Sequence, residues 1–225
     1  MTTRVFLVRH GSTPLSAEDS FAGAVDVDLS DEGRDQAESL SQRLADEPIT
    51  AVYCSPMRRT IETAEIIARP HSVMPIQDAG LKEINHGHWE AMRRSDVESL
   101  YAAEYAAWEE DPFTFAPVGG ESGLSVMARS LPVIRSIVTH HPDENVVIVS
   151  HKATIRLLIS SLLGFDARGY RDRLDQSPAS LNILDFKDAV RARLMLFNDV
   201  SHYTSLPPRS TKRLSKVWST GEDQG

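Results

Sequence analysis

Apolar residues recur along this chain with two different periods, and the switches between them mark alternating strands and helices. Val5, Phe6, Leu7 and Val8 form a continuous run that ends abruptly at Arg9-His10-Gly11-Ser12-Thr13-Pro14, the pattern of a buried strand entering a polar loop. Ser30 suits a helix N-cap, Asp31 and Glu32 suit the positive end of a helix, and Ala37, Leu40 and Leu44 follow at helical spacing before Pro48. A helix is therefore predicted over about 31–46. A second strand at 50–54 leads through Ser55-Pro56 into a helix over 59–68, with Ile61, Ala64 and Ile67 as apolar positions. A third apolar stretch at 73–76 precedes a loop rich in His, Glu and Trp that carries Leu81-Lys82-Glu83.

Helical spacing returns at 93–108 and 124–140, with Pro112, Pro117, Gly119 and Gly120 between them, and predicts a helical lid over about 90–140. The β-branched run 146–149 stops at Ser150-His151, and a helix over 155–163 closes at Gly164. Late strands are expected at 181–186 and 193–197. Strands alternating with helices imply a mostly parallel sheet covered on both faces, with the late strands antiparallel, and ligands in such sheets bind beyond the carboxyl ends of the strands. The segment from Ser205 onward, rich in Pro, Ser, Lys and Arg, reads as a mobile tail following one domain over 1–204.

A chain of 225 residues buries roughly 70–75% of its unfolded surface around one core. Its net charge of −8 argues against general binding to nucleic acid or anionic membranes, so any anion it binds must meet a local basic pocket. The opening residues lead into only four apolar positions, too few for a signal-peptide core, and a cytoplasmic protein is expected. The one cysteine, Cys54, has no internal disulfide partner.

Three strand ends carry groups suited to phosphoryl chemistry: Arg9-His10, Arg58-Arg59 and His151. Guanidinium forks match phosphate oxygens. A neutral imidazole can attack phosphorus through a phosphohistidine, and a nearby carboxyl group must then protonate the leaving oxygen. Glu83 is the candidate acid, with Glu90 close by as its competitor. Of the adjacent Arg58 and Arg59, only one can easily face a site from the start of a helix.

The segment Leu7-Val8-Arg9-His10-Gly11-Ser12-Thr13 resembles the Arg-His-Gly signature of the histidine phosphatase superfamily, also called phosphoglycerate mutase-like. Further blocks follow in the family's order. They are Asp28-Leu29-Ser30 with Gly33 and Gln36-Ala37; Ser55-Pro56-Met57 with Arg59 and Thr63-Ala64; Leu81 with Glu83, Gly87 and Trp89-Glu90; Gly120-Glu121-Ser122 with Arg129; and Val149-Ser150-His151 with Arg156. The resemblance covers about residues 4–202. It implies a three-layer α/β/α sandwich, His10 as nucleophile, Glu83 as proton donor, and Arg9, Arg59 and His151 around the phosphoryl group. It implies no metal and no cofactor, and a small phosphorylated metabolite as substrate, such as a sugar phosphate, a phosphoglycerate derivative or a phosphoserine-like ester.

Where many members of that family carry Asn, this chain has Thr13-Pro14-Leu15-Ser16, and where they commonly carry Gly after the second histidine it has Lys152. Ser16, Gly23, Arg58 and Lys152 are further candidates for substrate contacts, Lys152 toward an acidic substrate. His86 and His88 lack a third ligand at metal-site spacing and are expected in a solvated loop. His140 and His141 are expected to meet a helix terminus, and His202 to pack near the site entrance. Cys54 is expected as a buried strand-end residue, since Thr60 stands where a cysteine phosphatase loop would end in Arg. Two rival functions remain in view: a cofactor-dependent phosphoglycerate mutase, against which only 68 positions separate Glu83 from His151, and a non-catalytic phospho-ligand binding protein. The oligomeric state is open, a homodimer among the options.

Overall fold

The computed structural model describes residues 2–17 and 20–206. Six strands form one mixed sheet: β1 (Thr3–Arg9), β2 (Ile49–Cys54), β3 (Ile76–Gln77), β4 (Asn145–Ser150), β5 (Leu181–Phe186) and β6 (Ala192–Asp199). Their order is β3-β2-β4-β1-β5-β6. The first four run parallel, β5 is antiparallel to β1, and β6 is antiparallel to β5. The apolar runs of β1, β2 and β4 are continuous because these strands lie inside the sheet with helices on both faces.

Among the described residues seven α-helices accompany the sheet: α1 (Asp31–Leu44), α2 (Arg58–Ala68), α3 (Arg94–Leu100), α4 (Ala102–Glu110), α5 (Gly123–His140), α6 (Lys152–Leu163) and α7 (Tyr170–Arg173). Alternation along each strand sorts the core into two layers. Phe6, Val8, Val52, Val147 and Val149 point toward Leu40 and Leu44 of α1 and Ala64 and Ile67 of α2. Val5, Leu7, Val146 and Ile148 point the other way, toward Ile134, Ile137 and Val138 of α5 and Ile155, Leu158 and Ile159 of α6. The result is the three-layer α/β/α sandwich.

Differences from the sequence reading have local causes. The third apolar stretch pairs over only two residues, at Ile76–Gln77 on the sheet edge. The helix expected over 93–108 is broken at Tyr101 into α3 and α4. The expected lid over about 90–140 includes α5, yet α5 packs on the sheet. The elements outside the sandwich gather instead around Phe21, Trp89, Val97 and Trp108. Arg94 and Arg171 stack over the Trp108 ring, and the Glu109 carboxylate accepts from Arg171 at 2.9 Å. The basic tail, with Arg209, Lys212, Arg213 and Lys216, lies outside the described residues beyond 206.

The loop after β1 is held by α1. Ser30 caps that helix by accepting from the Gly33 amide at 3.1 Å, and its hydroxyl donates to the Ser12 carbonyl, also at 3.1 Å. Gln36 accepts from the Ser12 amide at 3.0 Å, and the Thr63 hydroxyl accepts from the Gly11 amide at 3.2 Å. Two glycines allow this approach: a Cβ on Gly11 would lie 2.3 Å from the Gly33 carbonyl oxygen, and one on Gly33 would lie 2.0 Å from that of Ser12. Backbone meets backbone there, so neither side yields easily. Gly33→Ala is expected to destabilise the protein by about 2 kcal/mol or more, read as a lower urea midpoint at unchanged slope. A midpoint equal to that of the unaltered protein would show that the loop can move aside.

Candidate functional site

β2, β4 and β1 are neighbours in the sheet, and each ends at the same edge, where the next residue is Ser55, His151 and His10 respectively. The His10 amide donates to the Ser150 carbonyl at 3.1 Å and the Ser55 amide to the Val149 carbonyl at 3.1 Å, so parallel pairing fixes all three. The two imidazole rings meet edge to face with centroids 5.2 Å apart. Residues 141 positions apart in sequence are thus brought into contact.

Hydrogen bonds fix which ring nitrogen of each histidine is free. His10 Nδ1 lies 2.7 Å from the Gly11 carbonyl, which can only accept, so Nδ1 carries the proton and Nε2 presents a lone pair. Arg59 Nε, which can only donate, bonds His151 Nδ1 at 3.3 Å, so His151 donates from Nε2, here to the Ser55 hydroxyl at 2.8 Å. One ring is prepared to give an electron pair and the other to give a hydrogen bond.

Electrostatics keep both rings neutral. Burial, then the charges of Arg9 and Arg59, hold His10 well below the usual imidazole range. Burial, then Arg59 and the neighbouring His10, do the same for His151. Burial also pulls Arg9 down to about 10, leaving it a cation at neutral pH. Arg9 Nη1 donates to the Gln176 carbonyl at 2.7 Å, while its buried Nε meets no partner among the described residues.

Arg59 lies inside, 3% exposed, and Arg58 lies outside. The Arg59 fork donates to the carbonyls of Val25 at 2.7 Å and Gly23 at 2.9 Å. Arg58 instead pairs with Asp26 and Asp28 on the surface. Gly23 contributes its carbonyl and its lack of a side chain, since a Cβ there would sit 1.8 Å from the Ile84 carbonyl oxygen. Ser16 lies in the short 3-10 turn Pro14–Ala17, and its side chain falls outside what the structure describes.

Glu83 is clamped against the N-terminus of α6. Its Oε1 accepts from the amides of Ile84 at 3.0 Å and Thr154 at 3.1 Å, and its Oε2 from the Ala153 amide at 3.1 Å. Arg129 of α5, held by Glu121, donates to the carbonyls of Gly80, Lys82 and Glu83 and pins the backbone that carries this carboxylate. Glu90, the competitor, is taken up in the loops: its Oε1 accepts from the amides of His86 at 2.7 Å and Ala24 at 3.0 Å. Lys152 pairs with Asp175 at 2.7 Å, and Arg156, one turn along α6, reaches the same oxygen at 2.8 Å.

The expectation of solvated histidines in the 86–88 loop fails at His86, whereas His88 is partly exposed. His86 packs edge-on to Phe21, and burial pushes it down to about 4; His88 Nε2 lies 3.3 Å from the Glu104 carboxylate, beside Tyr101. His140 bonds the Ser136 carbonyl within α5, whereas His141 bridges Tyr53 and Glu144 across elements. His202 is part-buried beside Arg43, and Cys54 is fully buried with its thiol pushed up to about 12. Among the described residues no group of three or more His, Cys, Asp or Glu could hold a metal ion, and no helix is long and apolar enough to cross a membrane.

Known proteins resemble this chain in sequence and in fold. The sequence profile of the histidine phosphatase superfamily (branch 1) matches residues 5–200. This chain belongs to that superfamily. It is 34% identical to phosphoserine phosphatase 1 of Hydrogenobacter thermophilus over 72% of this chain and 77% of that protein. It is also 34% identical to glucosyl-3-phosphoglycerate phosphatase of Mycolicibacterium vanbaalenii, over 72% and 74% respectively. The solved structure of a mycobacterial glucosyl-3-phosphoglycerate phosphatase superposes with a TM-score of 0.80 at 28% identity, covering 88% of this chain and 99% of that one. These relatives favour a phosphatase over a mutase or a silent binding protein.

The neutral, buried histidines make stability depend on pH. The unfolded chain protonates its histidines below about 6.5, whereas folded His10 and His151 stay neutral to well below that value. More protons are then bound in the unfolded state, so stability falls as pH drops through 6.5, by up to about 1.4 kcal/mol per unit for each such histidine. Urea unfolding at pH 7, 6 and 5 is expected to show this slope, and His10→Asn to make it shallower. An equal slope in that variant would mean that His10 titrates normally in the fold.

Proposed function

We propose that this phosphatase hydrolyses a phosphomonoester of a small metabolite through phosphohistidine at His10. The substrate phosphoryl group lies between the two imidazoles, with Arg9 and Arg59 beside its non-bridging oxygens and the His151 Nε2 proton donated to one of them. The His10 Nε2 lone pair attacks phosphorus as the ester P–O bond breaks, and Glu83 gives its proton to the departing alcohol oxygen. Water then attacks phosphorus, Glu83 takes the water proton, the P–N bond breaks, and inorganic phosphate leaves with His10 restored. One observation carries the reading: the hydrogen bond from His10 Nδ1 to the Gly11 carbonyl leaves Nε2 unprotonated beside a second, proton-donating imidazole.

Arg9 and Arg59 complement the charge that spreads over the phosphoryl oxygens in flight. Because both guanidiniums are already anchored to backbone carbonyls, little reorganisation accompanies the reaction. The phosphatases of phosphoserine and glucosyl-3-phosphoglycerate among the relatives support a small phosphorylated metabolite as substrate class.

Rapid neutral quenching followed by peptide mapping is expected to find phosphate on His10, and none after His10→Ala; phosphate on another residue would end the proposal. Glu83→Gln is expected to lower kcat for alkyl phosphates by about 10²–10⁴-fold, and for para-nitrophenyl phosphate, whose leaving group needs no proton, by far less. Equal losses on both esters would remove the acid role from Glu83.

A further inference from the structure

Beside the phosphate cradle lies a second basic cluster that the proposed reaction does not use. Lys152 Nζ and Arg156 Nη2 both reach Oδ1 of Asp175, at 2.7 and 2.8 Å, and that oxygen also accepts from the Gln176 amide at 2.9 Å. One carboxylate oxygen thus answers two cations. The Arg156 side chain is only 11% exposed, and its buried Nε has no partner among the described residues. Donors buried without acceptors are costly, and each calls for a partner such as an ordered water, an ion or a ligand.

The cluster adjoins the proposed acid. Lys152 follows His151 directly, and the next two amides of α6, Ala153 and Thr154, hold the Glu83 carboxylate. Arg9 donates to the carbonyl of Gln176, the residue whose amide binds Asp175, so the two basic sites share a wall. Arg9 and Arg59 answer the phosphoryl charge, which leaves Lys152 and Arg156 against Asp175, an excess of one positive charge. That excess fits a monoanion. Burial and the neighbouring Arg156 and Arg9 charges push Lys152 down to about 7, a cost that a second anion would relieve. Asp175, with its side chain 47% exposed, is the more accessible member of the cluster and can give way.

We propose that Lys152 and Arg156 bind a carboxylate on the alcohol portion of the substrate, and that Asp175 is the internal counter-ion this carboxylate replaces. The inference rests on the phosphatase reading above and narrows its substrate to phosphate esters of hydroxy acids. A neutral alcohol leaves Asp175 in place and gains nothing from the cluster. Lys152 and Arg156 therefore set specificity, while His10 and Glu83 carry the chemistry.

The test compares 3-phosphoglycerate with glycerol 3-phosphate, esters of similar size of which only the first bears a carboxylate, and adds propane-1,3-diyl bisphosphate as a dianionic rival. The unaltered protein is expected to prefer 3-phosphoglycerate over glycerol 3-phosphate by about tenfold or more in kcat/KM, the scale of one charge-assisted contact. Lys152→Gln is expected to reduce that ratio to about threefold or less, chiefly through KM. Asp175→Asn is expected to lower KM for 3-phosphoglycerate and not for glycerol 3-phosphate. A ratio near one in the unaltered protein, with both esters phosphorylating His10, overturns this inference and leaves the phosphatase reading intact. A preference for the bisphosphate over 3-phosphoglycerate overturns the carboxylate assignment. No phosphate on His10 with any of the three overturns both readings. Because the unaltered protein supplies the deciding ratio, a variant that fails to fold does not shield the inference.

Discussion

Two guanidiniums and two imidazoles share one buried spot, and the protein tolerates this only because the imidazoles are uncharged. Four buried cations at such separations would repel strongly at the low effective dielectric of an interior. Burial and the fixed Arg9 and Arg59 charges together keep the protons off His10 and His151. The same condition makes His10 Nε2 a lone-pair donor at neutral pH, so the nucleophile needs no separate base. Placement of positive charge and activation of the nucleophile are one constraint seen from two sides.

That constraint can be met because of where the strands end. In a parallel sheet the carboxyl ends of adjacent strands are level, and the order β2-β4-β1 sets Ser55, His151 and His10 side by side without any loop having to reach. Arg59 arrives from the first turn of α2, just past β2, and links His151 to the carbonyls of Gly23 and Val25. Arginine suits this position better than lysine would, since a planar fork can hold three partners in fixed directions at once. Glu83 is set from the opposite side by the amides of α6 and by Arg129 beneath its loop.

Much of this was legible in the sequence because it depends on short-range pattern. The apolar runs that stop at His10, Cys54 and Ser150 located three of the strands and the edge where the site lies. The Arg-His-Gly block and its companions singled out His10, Arg59, Glu83 and His151. What stayed hidden depends on long-range contact. Ser55 gave no sign that its hydroxyl would accept from His151, 96 positions away. Asp175 sits in a segment without periodicity, so nothing local announced that it would join Lys152 to Arg156. His86 looked like a polar loop residue because its cover, Phe21, comes from a distant segment. The lid was misjudged for a related reason, since helical spacing reports that α5 has an apolar face and not which surface that face meets.

The stability of the two core layers and the cost of the site are therefore separate parts of one design. Tight apolar packing above and below the central strands holds their ends rigid, and rigid ends let buried charges and unpartnered donors persist that a looser fold would relax. Gly11 and Gly33 are where the two parts meet, because the closeness that orients the nucleophile loop leaves no room for a methyl group on either residue. Local preference alone would not choose glycine near the first turn of α1; the approach of the Ser12 carbonyl does.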